Sequence, residues 1–212
     1  MAEVAVFSAL GFVLDLVAGL YSKPLFVNGG SIGIAMMCVF FVSFRRGLVP
    51  GIATGLIIGL LQLAGGWYTS PLADEGWKAF IQIGLDYWLA YPLTGFAGVM
   101  FRAFQKGETK KQKILALVIG SVIGGFLKYL CHFLSGVIFW PDDLWGVGGS
   151  VAYSLLYNGA YMLPSIILST ALLIVLYLRV PMLFEEPNNY QMRSGKESKP
   201  DAVETSSKPE AK

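Results

Sequence analysis

Charge is scarce in this sequence: charged residues make up 14% of its 212 residues, against about 25% in an average soluble domain. With 55% hydrophobic residues and a mean hydropathy of +0.59, that scarcity argues against a water-soluble fold. Cysteine is also scarce. Cys38 and Cys131 both fall inside apolar stretches, which excludes a disulfide framework or paired metal-ligand spacing and leaves packing as their role. The single histidine, His132, has no zinc-ligand spacing around it, so no metal and no cofactor is expected. No G-x-x-x-x-G-K-[S/T] phosphate loop occurs, which excludes ATP binding by that route. No Ser or Cys nucleophile stands in a pattern with a base, so an enzyme is not expected. No basic patch interleaved with aromatics points to nucleic acid. The chain start has acidic Glu3 where a cleaved leader would carry basic residues, and the first apolar run reads as a span.

What the sequence has in abundance is long apolar runs. A membrane-crossing helix needs about 20 mostly apolar residues, and six runs qualify: 4–21, 25–44, 48–66, 79–104, 113–140 and 147–178. The expected fold is therefore an all-α integral membrane protein with six transmembrane helices, occupying 1–184 as one membrane domain in contact with lipid. The second run opens with Asn28, Gly29, Gly30 and Ser31, which suit a non-helical stretch buried against protein or lining a cavity; this makes the first loop a candidate lid. Arg45 and Arg46 follow run two, and Arg102, Lys106, Lys110, Lys111 and Lys113 surround the connection from run four to five. Asp74, Glu75, Asp142 and Asp143 mark the alternate loops. The positive-inside rule then places both termini in the cytoplasm. The segment 185–212 switches to Glu, Lys, Ser, Pro and Asn and reads as a polar, disordered cytoplasmic tail.

Polar groups at membrane depth are costly and mark candidate function. Here they are Asp15, Asp86, Lys128, His132 and Asn158. Lys128 and His132 are four apart and share a helix face, which continues past Ser135 and Gly136 to Phe139 and Trp140. Asp86 is followed by Tyr87, with Tyr91 a turn on; a carboxylate among aromatic rings suits a cationic heteroaromatic ligand through charge, stacking and cation–π attraction. Asn158 offers both donors and acceptors for a ring edge, with Tyr153 near the outer end of the same run. Each also has a structural alternative: Lys128 paired with a carboxylate, Trp140 as an interfacial anchor, Asn158 in interhelical bonding. Ala5 and Ala9 form a small-xxx-small pair, fit for docking on another helix or for packing inside the bundle.

The stretches SFRRGLVPG (43–51), LDYWLAYPLTGFAG (85–98), LKYLCHFLSGVIFW (127–140) and AYSLLYNG (152–159) together closely resemble the ThiT/YuaJ family, the thiamine-specific substrate-binding (S) components of energy-coupling factor (ECF) vitamin transporters. The resemblance covers nearly the whole chain up to the tail. It implies a six-helix bundle with a thiamine pocket near the outer face, among the later helices and under the first loop. The family's pocket acid and following tyrosine match Asp86 and Tyr87, with Asp where Glu can occur. Its lysine, histidine and tryptophan match Lys128, His132 and Trp140, and its sixth-helix tyrosine and asparagine match Tyr153 and Asn158. Some members carry tryptophans in the first-loop region and third helix, positions that fall here near Gly29 or Gly30 and at Ile58. Trp67 and Tyr68 are candidates for an aromatic from the third loop. Ala5 and Ala9 match the motif by which S components dock onto the T subunit, and two separate ATPase subunits would supply the energy.

The resemblance thus implies a bacterial, multi-pass subunit of the cytoplasmic membrane that captures thiamine from outside. Trp140 and tyrosines would stack on its rings, Asp86 would offset its charge, and His132 and Asn158 would read its aminopyrimidine edges. Lys128 would orient Asp86 or a hydroxyl. Two alternatives remain: a stand-alone proton-coupled secondary transporter using Asp86, His132 and Lys128, and an S component for another vitamin.

Overall fold

The first helix, α1 (Ala2–Ser22), buries a narrow stripe of small residues, Ser8, Gly11, Ala18 and Ser22. Their spacing of three and four is that of one helix face, and large apolar side chains such as Leu10, Val13 and Leu20 point outward. This is the pattern of a helix between protein and lipid. Gly11 is needed for a close crossing, since a Cβ there would lie 2.6 Å from Ile58 Cδ1 of the third helix. The computed structural model describes residues 1–66, 69, 70, 75–140, 146 and 148–185, and among these every regular element is helical.

After α1 the chain runs without helix to Ala35. The second apolar run is thus helical only from Met36, as α2 (Met36–Arg46), rather than from 25. Gly29 and Gly30 sit at φ 92° and 99°, a left-handed conformation that a helix excludes and glycine tolerates. The eleven residues of α2 reach only ~16 Å, and nearly all are buried, so α2 is a central strut. It ends at Gly47, φ 95°, and α3 (Leu48–Gly65) follows at once; Pro50 is tolerated in its first turn.

The fourth apolar run is helical but not one α-helix. It comprises α4 (Gly76–Ile83), a π-helical turn (Gly84–Leu89), α5 (Ala90–Thr94), a 3-10 segment (Gly95–Met100) and α6 (Phe101–Lys106). Pro92 lacks an N–H and its ring opposes the carbonyl four residues earlier, Trp88, so the widened turn stands where a regular α-helix would clash. Against this rod, α3 presents Gly51, Gly55 and Gly59, buried at four-residue spacing. A Cβ on Gly59 would lie 2.5 Å from the Tyr87 carbonyl oxygen, and one on Gly55 would collide with that of Tyr91. Backbone therefore packs on backbone, the use of small-xxx-small faces in membranes.

Two long helices complete the bundle, α7 (Lys110–Phe139) and α8 (Ser150–Arg179). Thr109 and Gln112 cap α7 reciprocally: Gln112 N donates to Thr109 Oγ1 at 3.2 Å and Thr109 N donates to Gln112 Oε1 at 3.1 Å, a capping box. A short 3-10 turn, Pro181–Phe184, folds Phe184 back onto Phe41, Phe104 and Tyr177. Arg45 fixes that turn through the Leu183 and Glu185 carbonyls, and Glu3 accepts from both Arg45 and Arg46.

Among the described residues, four helices, α1, α3, α7 and α8, are long and apolar enough to cross a membrane by length and composition. Runs two and four are the exceptions, for the reasons just given: a glycine break in one and a change of helix type in the other. The acidic loop residues Asp74, Asp142 and Asp143 and the tail from 186 onward lie outside the described residues.

Candidate functional site

The end of the bundle opposite the Arg45–Arg46–Glu3 cluster encloses a cavity of about 760 Å³. Its wall is assembled from the C-terminal part of α1, the segment 23–35, the end of α3, the π-helical turn, the last turns of α7 and the first half of α8. Asp86, Tyr87, Lys128, His132, Trp140, Tyr153 and Asn158, remote in sequence, all line it. Trp67 and Tyr68 lie outside the described residues. Ile58 is buried against Gly11 and is not part of the wall.

Asp86 sits on the π-helical turn, a helix type found often at functional sites. Its Oδ1 lies 3.1 Å from His132 Nδ1, and its Oδ2 accepts from Ser135 Oγ at 2.8 Å and from Gln82 Nε2 at 3.4 Å. Because a carboxylate only accepts, this contact calls for a proton on His132 Nδ1 and leaves Nε2 turned away from Asp86. Gln82 is held in turn by Ser70 N, which donates to its Oε1 at 3.0 Å. About a sixth of the Asp86 and His132 side chains is exposed, so the pair is shielded yet open to the cavity.

Lys128 does not orient Asp86 and forms no ion pair with any carboxylate among the described residues. Its ammonium stands 3.8 Å from the centroid of the Tyr91 ring, a desolvated cation–π contact. The Tyr91 hydroxyl donates to Asp15, whose carboxylate also accepts from Gln62 Nε2 at 2.6 Å and Ser31 Oγ at 3.4 Å. Asp15, on α1, is thus linked to the Lys128 ammonium through the Tyr91 ring. Its three partners come from the first loop, α3 and α5, a convergence that no spacing in the sequence announces.

Asn158 turns its amide inward on its own helix. Nδ2 donates to the Ser154 carbonyl at 2.9 Å, and Oδ1 accepts from Tyr161 Oη at 2.5 Å. These bonds lie within α8, so neither interhelical bonding nor a free amide edge describes it. Gly136 brings α7 close here: a Cβ would lie 3.0 Å from Asn158 Nδ2.

The aromatic wall is richer than the one tyrosine read from run six. Tyr153, Tyr157 and Tyr161 recur every fourth residue along one face of α8, all buried, with consecutive ring centroids 5.2 and 6.2 Å apart. That four-residue repeat was the available signal. Phe26 adds an edge-on ring 5.4 Å from Tyr161. At Gly30 a Cβ would lie 2.5 Å from Tyr161 Cε1: the tyrosine fills the space beside the first loop.

The loop is fastened over this wall. Asn28 N donates to Tyr157 Oη at 2.9 Å and Asn28 Nδ2 donates to Tyr153 Oη at 3.0 Å, while Tyr157 Oη donates to the Gly29 carbonyl at 2.9 Å. Farther along, Gly33 N donates to Ser165 Oγ at 3.0 Å. Backbone polar groups of a non-helical segment need such partners at membrane depth, so the first loop is a structured cover held by α8.

Ala5 and Ala9 are both exposed on α1. They face away from the bundle, which rules out internal packing as their role.

Chemically, the cavity offers a shielded carboxylate with an imidazole, a buried ammonium on the face of Tyr91, whose hydroxyl donates to a second carboxylate, and rings from Trp140 and three tyrosines. Among the described residues no three His, Cys, Asp or Glu side chains cluster as metal ligands.

Known proteins match over most of this chain. Residues 1–185 match the family described as Thiamine transporter protein (Thia_YuaJ). Thiamine transporter ThiT of Bacillus subtilis is 34% identical over 187 residues, covering 86% of this chain and 92% of that protein. Thiamine transporter ThiT of Lacticaseibacillus paracasei is 33% identical over 172 residues, covering 74% and 76%. A solved structure of ThiT from Listeria monocytogenes superposes with a TM-score of 0.73 at 25% identity, covering 87% of this chain and 96% of that one.

Proposed function

The chain belongs to the thiamine transporter (Thia_YuaJ) family, and from that premise we propose that it is the membrane subunit that captures thiamine at the outer face of a bacterial cytoplasmic membrane. It then delivers the vitamin through an ATP-driven ECF transporter, with a T subunit and two ATPase subunits as partners. The observation that carries this reading is the enclosed cavity in which Asp86 meets His132 and Ser135 beneath a wall of Trp140 and tyrosines. A carboxylate for a thiazolium, rings for stacking and an imidazole for the edge of an aminopyrimidine form a complementary set.

The same reading counts six crossings: the four long helices, the rod 76–106, and the segment 25–46 with its non-helical first half. Arg45, Arg46, Lys106, Lys110 and Lys111 gather at the end away from the cavity, and the positive-inside rule makes that end cytoplasmic. Glu3 and Phe184 lie there too, which supports cytoplasmic termini and an outward-facing cavity. The exposed Ala5 and Ala9 are the docking face for the T subunit.

The His132–Asp86 contact favours one rival, a proton-coupled carrier acting alone. Proteoliposomes separate the two. With the energising subunits and ATP inside, labelled thiamine should accumulate regardless of a proton gradient, and this chain alone should accumulate none. Gradient-driven accumulation by the chain alone would overturn the ECF assignment.

A further inference from the structure

Asp15 has no part in the reading above, and Lys128 is at odds with a cationic ligand. Lys128 is 8% exposed, and a lone ammonium so buried carries a desolvation cost of several kcal/mol unless something offsets it. The offset in this structure is indirect. The ammonium lies on the face of Tyr91, and the same ring donates its hydroxyl to Asp15. A phenol that donates to a carboxylate gains electron density, which strengthens its hold on a cation. All three donors around Asp15, from Gln62, Ser31 and Tyr91, are neutral, so its negative charge is not consumed by another cation.

We propose that Asp15 is the counter-charge of Lys128, and thereby a specificity-determining residue of the cavity. By cancelling the ammonium it leaves Asp86 as the uncompensated charge of the interior, so the cavity favours a monocation over a neutral heterocycle of the same shape. The remaining charged groups of the wall do not alter this balance. Lys23 lines the cavity but is exposed, where water screens it, and the His132–Asp86 contact is common to every variant compared below. The inference rests on the reading that this cavity holds thiamine.

The test is a preference ratio in the purified full chain: calorimetric affinity for thiamine divided by that for an uncharged isostere whose thiazolium is replaced by thiophene. Asp15→Asn preserves shape, removes one charge and turns one accepting oxygen into a donor. It should lower the ratio tenfold or more, as expected for one unit charge within about 12 Å at an effective dielectric of about 20, while affinity for the isostere changes less. Asp15→Asn combined with Lys128→Met restores the balance and should return the ratio to that of the unaltered chain. If Asp15→Asn alone does not fold, the paired variant carries the test, since it contains no orphaned ammonium.

Equal loss of both ligands in Asp15→Asn would make Asp15 a structural hydrogen-bond acceptor only and overturn the proposal. So would an unchanged ratio, or a paired variant that fails to fold or to recover the ratio. An unaltered chain that binds no thiamine would instead sink the functional reading, and this inference with it.

Discussion

In the proposed function, Asp86 is the residue that answers the charge of the ligand. Its carboxylate accepts from His132, Ser135 and Gln82, so an amide in its place keeps the shape but loses the charge and one accepting oxygen. Asp86→Asn should therefore weaken thiamine binding by about 1 to 3 kcal/mol, the range for hydrogen bonds to charged groups; calorimetry that finds no loss would remove Asp86 from the site. Trp140, at the end of α7 and in the cavity wall, is placed to report occupancy. Trp140→Phe should abolish most of the fluorescence change on thiamine addition while leaving a measurable affinity by calorimetry.

Single residues were also where the sequence spoke most clearly. Asp86, Lys128 and His132 could be read because ionisable groups at membrane depth are rare and costly. Tyr157 and Tyr161 were harder to read, because a tyrosine in an apolar run is equally an interfacial anchor or a packing residue. Gln82 was hidden for the same reason. Lys128 was found, but its neighbour Tyr91 and the carboxylate of Asp15 behind that ring come from other helices, and no spacing relates them.

Among the elements, α1 and the broken rod 76–106 carry the clearest consequences. Ala5 and Ala9 are exposed on α1, and neither contributes to the cavity wall. Replacing either with Trp should abolish co-purification of the T subunit and uptake, with thiamine affinity intact. Loss of affinity as well would indicate misfolding rather than a blocked docking face. For the rod, Gly59 abuts the Tyr87 carbonyl, next to the turn that carries Asp86. Gly59→Val should lower thermal stability in detergent by about 1 to 3 kcal/mol, the usual cost of overpacking, and weaken binding together with it. Gly159 on α8 has nothing within 4 Å of a built Cβ, so Gly159→Ala should be neutral or slightly stabilising.

Hydropathy found each helical region but not its internal character. Leu25, Phe26 and Val27 read as the start of a span, yet Gly29 and Gly30 adopt φ values no helix permits, and the helix waits until Met36. Run four is apolar throughout, and the change to π and then 3-10 geometry is a backbone event around Pro92 and the α3 glycines that side-chain hydrophobicity does not register.

In the whole molecule, the two ends are chemically opposed. One end gathers arginines and lysines over an aromatic cluster of Phe41, Phe104, Tyr177 and Phe184. The other is hollow, polar inside and covered by the loop 23–35. The Glu3, Arg45 and Arg46 contacts that tie the first end together are partly exposed, so each is worth little in stability; their use is to fix where α1 and the chain end sit. A molecule built this way is suited to hold a ligand at one face.

The most direct measurement is a titration of the purified full chain in detergent, reading tryptophan fluorescence against thiamine, riboflavin and biotin. Saturable quenching by thiamine, with none by riboflavin or biotin at the same concentrations, is the predicted result. A response to riboflavin or biotin equal to that of thiamine, or no response to thiamine at millimolar concentration, would contradict it.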